Sequence, residues 1–362
     1  MQVYLDNGAT TKTAPEVAKA IQPYLTEQYG NPESIHALGR KAQEALEQAR
    51  KQIASKLNFQ PHELIFTSSG TEANNLALFG VAHAMKKQGN HIIVSNIEHS
   101  SILEACKRLE KEGFEVTYLL VNKEGLVDIK KLEHAITPKT IIVSIMHANN
   151  EIGVIQPINE IYSICKKKKI FFHTDAAQSF CKTKTPEADL ISISAHKIHG
   201  PKGIAALAVK ENVPIQPQIL GGMQEQNKRA GTHNVPGIIG FAKATTLITE
   251  KDIQHMTELK NYFIQQLLTI STLNGSKNRL CNNINLTFPG QEADSLLLKL
   301  DEQGIACSAG SACNTKKATP SHVLKALGLP KDKLNSTLRF TLSKYTTKTE
   351  IEYTLKRIKE LL

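Results

Sequence analysis

Three short segments of this chain bring together residue types able to do chemistry. The first is Ser68-Ser69-Gly70-Thr71-Glu72, where an apolar run at 64–67 ends and a helical pattern begins. The amides and positive dipole end of a helix start form an anion site. Hydroxyls at Ser69 and Thr71 could add hydrogen bonds, although the same residues also read as an ordinary N-cap. A Walker loop is excluded, because the Gly-Lys-Ser/Thr ending is missing. The second segment, His173-Thr174-Asp175-Ala176-Ala177-Gln178, follows a fully apolar strand pattern. Asp175 is therefore expected at the carboxyl end of a sheet, where open α/β folds bind ligands. A carboxylate there can hold a proton on a pyridine nitrogen, or it can simply cap a turn. The third is Ser194-Ala195-His196-Lys197-Ile198-His199-Gly200. A lysine at a strand end beside Ser and His suits a Schiff base. Most lone lysines are surface residues, and Lys197 stands out only through its company.

An anion-binding helix start, a carboxylate and a lysine are together what pyridoxal phosphate needs. The phosphate needs donors, the ring nitrogen needs an acid, and the aldehyde needs an amine.

The elements that would position these groups are legible as alternating patterns. Apolar residues at helical spacing over 39–57 predict a helix. Strand patterns at 64–67, 91–95, 114–121, 140–146, 170–174, 190–194 and 204–209 alternate with helical ones at 70–87, 100–111, 129–136 and from 159. The β-branched run at 140–146 is of the kind buried in a parallel sheet. This alternation predicts an α/β domain with helices on both faces of a mostly parallel sheet. The pattern changes near residue 250. A helix over 253–268, strands at 283–288 and 337–342, helices from 293 and 321, and a terminal helix predict a smaller α+β domain. The N-terminal strand is expected to join it.

The chain has 362 residues, six cysteines, no Trp and a formal net charge of +10. That length has room for one large and one smaller domain. The lysines are scattered, and the run 166–169 sits where a helix should end, so direct nucleic-acid binding is not expected. No apolar stretch reaches the ~20 residues that span a bilayer. No Cys-x-x-Cys pair exists, so a zinc ribbon is not expected. Six cysteines in so long a chain are not a disulfide framework, and a reducing cytoplasm is inferred.

In sequence order, the chain resembles the cysteine desulfurases of the class V aminotransferase family over nearly its whole length. The motifs are Tyr4-Leu5-Asp6-Asn7-Gly8-Ala9-Thr10-Thr11, Tyr29-Gly30-Asn31-Pro32, Ser68-Ser69-Gly70-Thr71-Glu72 and Glu98-His99. They continue with His147-Ala148-Asn149-Asn150-Glu151-Ile152-Gly153, Asp175-Ala176-Ala177-Gln178, Ser194-Ala195-His196-Lys197, Arg229-Ala230-Gly231-Thr232 and Gly310-Ser311-Ala312-Cys313. The resemblance implies a fold type I pyridoxal-phosphate enzyme. Its large domain, 14–250, would hold a mostly parallel seven-stranded sheet flanked by helices. Residues 1–13 and 251–362 would form the small α+β domain carrying the cysteine loop.

The resemblance also implies roles. Lys197 would carry the cofactor as a Schiff base and move protons, Asp175 would pair with the pyridinium nitrogen, and His99 would stack on the ring and act in proton transfer. Gln178 and Asn150 would bond the ring oxygen. Gly70, Thr71, Ser194 and His196 would hold the phosphate, and Thr232 would reach the phosphate of a partner subunit in a homodimer. Arg339 and Asn31 would bind the carboxylate of L-cysteine. Cys313 would take the sulfur as a persulfide, leaving alanine. Its setting is small and polar without periodicity, so a mobile loop is expected, and Lys316 and Lys317 favour a thiolate. Cys106, Cys165, Cys181 and Cys281 read as structural thiols. Cys307 reads as a structural thiol or as a redox partner of Cys313.

The Gly-Ser-Ala-Cys loop resembles the branch that supplies sulfur for iron–sulfur clusters and tRNA thiolation, so a sulfur-acceptor protein is an expected partner. Longer members carry a C-terminal tail that contacts the scaffold protein, and a chain ending at Leu362 leaves that docking open. The rival readings are a selenocysteine lyase or another class V transferase, and a non-enzymatic sulfur-relay protein.

Overall fold

A computed structural model of the chain describes residues 1–309 and 320–362. A short strand β1 (Val3–Tyr4) is followed by helices α1 (Pro15–Thr26) and α2 (Ala37–Leu57). Then come β2 (Leu64–Thr67), α3 (Gly70–Met85), β3 (His91–Ser95), α4 (Ser100–Lys111), β4 (Glu115–Leu119), α5 (Ile129–Ala135), β5 (Thr140–Ser144), α6 (Ile158–Lys168), β6 (Phe171–Asp175), β7 (Leu190–Ser194) and β8 (Ala205–Val209). The remainder holds α7 (Val235–Ala244), α8 (Glu250–Leu267), β9 (Thr272–Leu273), β10 (Asn283–Thr287), α9 (Ala293–Glu302), β11 (Ile305–Ala306), α10 (His322–Ala326), α11 (Lys331–Leu334), β12 (Thr337–Thr341) and α12 (Lys348–Leu361).

The main sheet has seven strands in the order β2-β8-β7-β6-β5-β3-β4. Strands β7, β6, β5, β3 and β4 run parallel, while β8 is antiparallel to both its neighbours. Period-2 alternation divides its side chains between two buried faces. Phe66, Ile93, Val143, Ile191 and Ala206 enter one apolar cluster. Ile65, Ile92, Ile142, Leu190 and Leu207 enter the other. Both faces are covered, which is why these strands read as continuous apolar runs.

A second sheet, β12-β10-β9, is antiparallel, and β1 pairs with β11 in parallel. Val3, Leu5, Phe263, Ile284, Leu300, Phe340 and Ile358 close a separate apolar core there. The expected joining of the N-terminal strand to this region is what the structure holds.

Helices α1, α7 and the short α11 escaped the sequence patterns. α7 is apolar nearly all round and mostly buried, so it shows no amphipathic period. α1 carries Pro15 at its start and Pro23 inside, which masks its pattern. The helix expected from 253 begins at Glu250, because Thr249 and Asp252 form a capping box. The C-terminal helix is capped likewise by Thr347 and Glu350 and runs for 14 residues.

Parallel strands end at Ser95, Ser144, Asp175 and Ser194. The segments leaving those ends carry Glu98-His99, His147–Asn150, Asp175–Gln178 and Ala195–Lys197, so the topology gathers them at one edge of the sheet.

Candidate active site

Asp175 ends β6 and is 8% exposed. Its Oδ1 accepts from the Ala177 amide at 2.9 Å, and its Oδ2 accepts from Asn74 Nδ2 at 2.7 Å. Asn74 lies in the first turns of α3 and also donates to Ser101 Oγ at 2.9 Å. The Ser101 amide in turn donates to His99 Nδ1 at 3.2 Å, and its hydroxyl lies 2.8 Å from the same nitrogen. Nδ1 is thus an acceptor, which describes a neutral imidazole with its proton on Nε2. Burial pushes the His99 pKa below its ordinary value; Asp175 opposes this, while Lys197 and His322 add to it.

Lys197 closes a short 3₁₀ turn, Ala195–Lys197, directly after β7. Its Nζ donates to the carbonyls of Gly8 and Ala9 at 2.5 and 2.7 Å. Gln178 Nε2 donates to the same Gly8 carbonyl at 3.0 Å. The N-terminal segment therefore crosses the sheet edge and holds Lys197 beside Gln178. Gly8 packs closely there: a Cβ would lie 3.0 Å from Thr341 Cγ2 and 3.4 Å from Arg339 Cζ, so those side chains would have to give by a few tenths of an ångström.

Gly70 begins α3, capped by Ser69, whose Oγ accepts from the Glu72 amide at 3.2 Å. A Cβ on Gly70 would lie 3.8 Å from Ser194 Cβ, so these two residues face one another across a narrow space. Ser194 Oγ is buried with no hydrogen-bond partner. Thr71 lies in the same helix turn and is exposed. His196 Nδ1 lies 3.1 Å from Thr10 Oγ1. Burial pushes the His196 pKa down to about 4, helped by the charges of Lys197, Lys202 and Lys182.

Arg339 on β12 is 1% exposed. Its Nη2 donates to Asp6 Oδ1 at 2.8 Å and its Nη1 to the Asn150 carbonyl at 2.9 Å, while its buried Nε has no partner. The Asn150 backbone is thereby joined to Arg339, and its side chain is half-buried. Asn31 is exposed and its Oδ1 accepts from the Glu33 amide at 3.0 Å. Among the described residues no hydrogen bond joins Asn31 to Arg339. Thr232 is also exposed, on a loop tied to the start of α3 by Arg229 Nε donating to Glu72 Oε1 at 2.9 Å. Cys313 lies outside the described residues. On the near sides of that span, Ser308 pairs with Arg339 through backbone bonds of 3.1 and 2.7 Å, and His322 Nε2 donates to the Glu98 carbonyl at 2.9 Å. Cys307 is half-buried, and burial with Asp6 pushes its thiol up to about 12 against the pull of Arg339.

Sequence reasoning missed Asn74, Ser101 and Asp6, which support Asp175, His99 and Arg339. The available signal was Asn74, a polar residue on the otherwise apolar inner side of α3, which a buried helix tolerates only with partners.

The seven-stranded sheet with the smaller antiparallel sheet beside it is the architecture of fold type I transferases, and the model of the family described as "Aminotransferase class-V" matches residues 3–354. The chain belongs to this family, and within it to the cysteine desulfurases. A relative named cysteine desulfurase IscS from Dictyoglomus turgidum is 48% identical, with 100% of this chain and 94% of that one covered. Another of the same name from Methanosarcina thermophila is 45% identical over 99% of this chain and 92% of its own. Among solved structures, one titled NifS-like protein superposes with a TM-score of 0.94 at 37% identity, covering 100% of this chain and 99% of the other. One titled SspA in complex with cysteine gives 0.87 at 37% identity, covering 96% and 100%.

Proposed function

We propose that this protein is a cysteine desulfurase that uses pyridoxal phosphate and takes sulfur from L-cysteine onto Cys313. The observation that carries the reading is the convergence of Asp175, His99 and Lys197 at one sheet edge, joined through Asn74, Ser101, Gly8 and Gln178. The residues present fit the cofactor. Ser194 Oγ is an unused buried donor facing Gly70 at the start of a long helix, which suits a phosphate. His196 and Thr71 would add donors to that phosphate, and Gln178 and Asn150 would bond the ring oxygen.

Pyridoxal phosphate, when bound, supplies an electron sink for a bond broken at an amino acid's Cα. Asp175 holds the proton at the pyridine nitrogen. The Lys197 amine takes and returns a proton at the substrate Cα. Neutral His99 is suited to pass a proton at neutral pH. Arg339 grips the substrate carboxylate with two parallel bonds, assisted by Asn31. The Cys313 thiolate attacks the substrate sulfur. An S–S bond forms, the C–S bond breaks, its electron pair goes to Cβ, and Cβ takes up a proton to give alanine.

A homodimer is part of the proposal, with Thr232 reaching the partner's phosphate site. Tyr29, Ile35, Leu220 and Met223 are exposed apolar residues on the segments around Thr232, and Gln224 Nε2 joins those segments by donating to Glu33 Oε2 at 2.7 Å. The separate apolar core supports residues 1–13 and 251–362 as the small domain. The naming of the IscS relatives supports an iron–sulfur or tRNA-thiolation acceptor for the sulfur. The five cysteines among the described residues are free thiols, in keeping with a reducing cytoplasm. No helix among the described residues is long and apolar enough to cross a membrane.

The test is to record the visible spectrum of the purified protein and assay alanine and sulfide after adding L-cysteine with a thiol reductant. A yellow protein giving equal amounts of both is the expected result. A colourless protein unable to take up pyridoxal phosphate would overturn it.

A further inference from the structure

Lys182 is a second lysine at this site, and the mechanism above does not use it. It lies in the turn after β6, seven residues beyond Asp175, and is 5% exposed. Its Nζ donates to the main-chain carbonyl of Lys197 at 3.1 Å. Its own carbonyl faces Cys281 Sγ at 3.9 Å, at the end of the loop leading into β10. Among the described residues it has no carboxylate partner. The groups around it are Cys181 on its own turn, Cys281 with Lys260 behind it, and His196, Lys197 and His199 on the turn after β7.

A buried cation without a counter-ion is costly unless it is hydrogen-bonded. We propose that Lys182 is a positioning residue for Lys197: its ammonium fixes the peptide from which the Lys197 side chain springs and, as a nearby like charge, disfavours a proton on the Lys197 nitrogen. The inference rests on the assignment of Lys197 as the cofactor-bearing amine.

Two physical effects support it. A charged donor makes the stronger kind of hydrogen bond to a carbonyl, so the 3₁₀ turn is held at its last residue. A nearby cation also lowers the proton affinity of its neighbours. Burial pushes the Lys182 pKa down to about 8, so the charge is present at neutral pH and fades above it.

The experiment compares the pH midpoint of the visible absorption of the pyridoxal-phosphate-loaded protein in the wild type and in Lys182→Met, Lys182→Gln and Lys182→Arg. Removing the like charge should move the midpoint up by about one unit in the Met and Gln variants. Lys182→Arg, which keeps the cation, should stay within a few tenths of the wild type. If Lys182→Met does not fold, the Gln and Arg pair makes the same comparison. Coincident midpoints in the wild type, Gln and Arg proteins would overturn the role of Lys182 alone. A wild-type protein with no visible band to titrate would instead overturn the cofactor assignment on which the inference rests.

Discussion

Asn74 Nδ2 donates to Asp175 Oδ2 at 2.7 Å, and this one amide also reaches Ser101 Oγ at 2.9 Å. A residue of α3 thus orients both the carboxylate and, through Ser101, the imidazole of His99. Replacing it by leucine leaves a buried carboxylate oxygen without its donor, a loss of about 1.5–3 kcal/mol for a bond to a charged group. Asn74→Leu is therefore expected to weaken pyridoxal-phosphate binding roughly 10- to 100-fold in a spectroscopic titration. Unchanged affinity would remove Asn74 from the site.

Arg339 offers its guanidinium from a buried position, held by Asp6 and the Asn150 carbonyl. Lysine keeps the charge but not the planar fork. Arg339→Lys should raise KM for L-cysteine by roughly 10-fold or more, a loss of about one charge-assisted bond, while the visible spectrum stays that of the wild type. A KM equal to that of the wild type would show that the substrate carboxylate binds elsewhere.

His173 is fully buried in β6 between Ser144 Oγ at 2.8 Å and Ser192 Oγ at 2.9 Å. Burial pushes its pKa down to about 4. The unfolded histidine takes up a proton as pH falls through about 6.5, where the folded one does not. Stability is thus lost as pH falls from about 6.5 to about 4, by roughly 1.4 kcal/mol per pH unit for this group. Urea unfolding across that range should be less steeply pH-dependent in His173→Gln than in the wild type. Parallel curves would mean that His173 is not held neutral.

Gly30 precedes Asn31, and a Cβ on it would lie 2.4 Å from the Leu38 carbonyl oxygen. The backbone must shift to admit any side chain. Gly30→Ala is expected to lower stability by about 1–3 kcal/mol, the cost typical of overpacking, and to raise KM by displacing Asn31. Thermal unfolding with steady-state kinetics checks both, and a variant unchanged in both would show that this turn is free to move.

The central strands β3, β5 and β7 were legible because both their faces are buried and they are contiguous, mostly apolar runs rich in isoleucine and valine. Asp175 and Lys197 were legible because each follows such a run directly. Strand β8 shows what a pattern cannot convey: its residues read like those of β7, yet it runs antiparallel, since a short loop rather than a helix joins them. The supports of the site were not legible for a similar reason. Asn74, Asp6 and Lys182 lie far in sequence from the groups they bond, and only the fold sets Asp6 against Arg339 or Lys182 against the Lys197 carbonyl. The helix α7 was hidden by its burial, which removes the polar face that marks a helix in a sequence.

The central claim is tested most directly by finding where the sulfur goes. The protein would be incubated with L-cysteine without reductant, digested, and its cysteine peptides weighed by mass spectrometry. The account predicts that the Cys313 peptide gains one sulfur atom as alanine appears, and that Cys313→Ser gains none while remaining yellow. A sulfur carried by Cys307 or another cysteine, or alanine released at the full rate by Cys313→Ser, would contradict it.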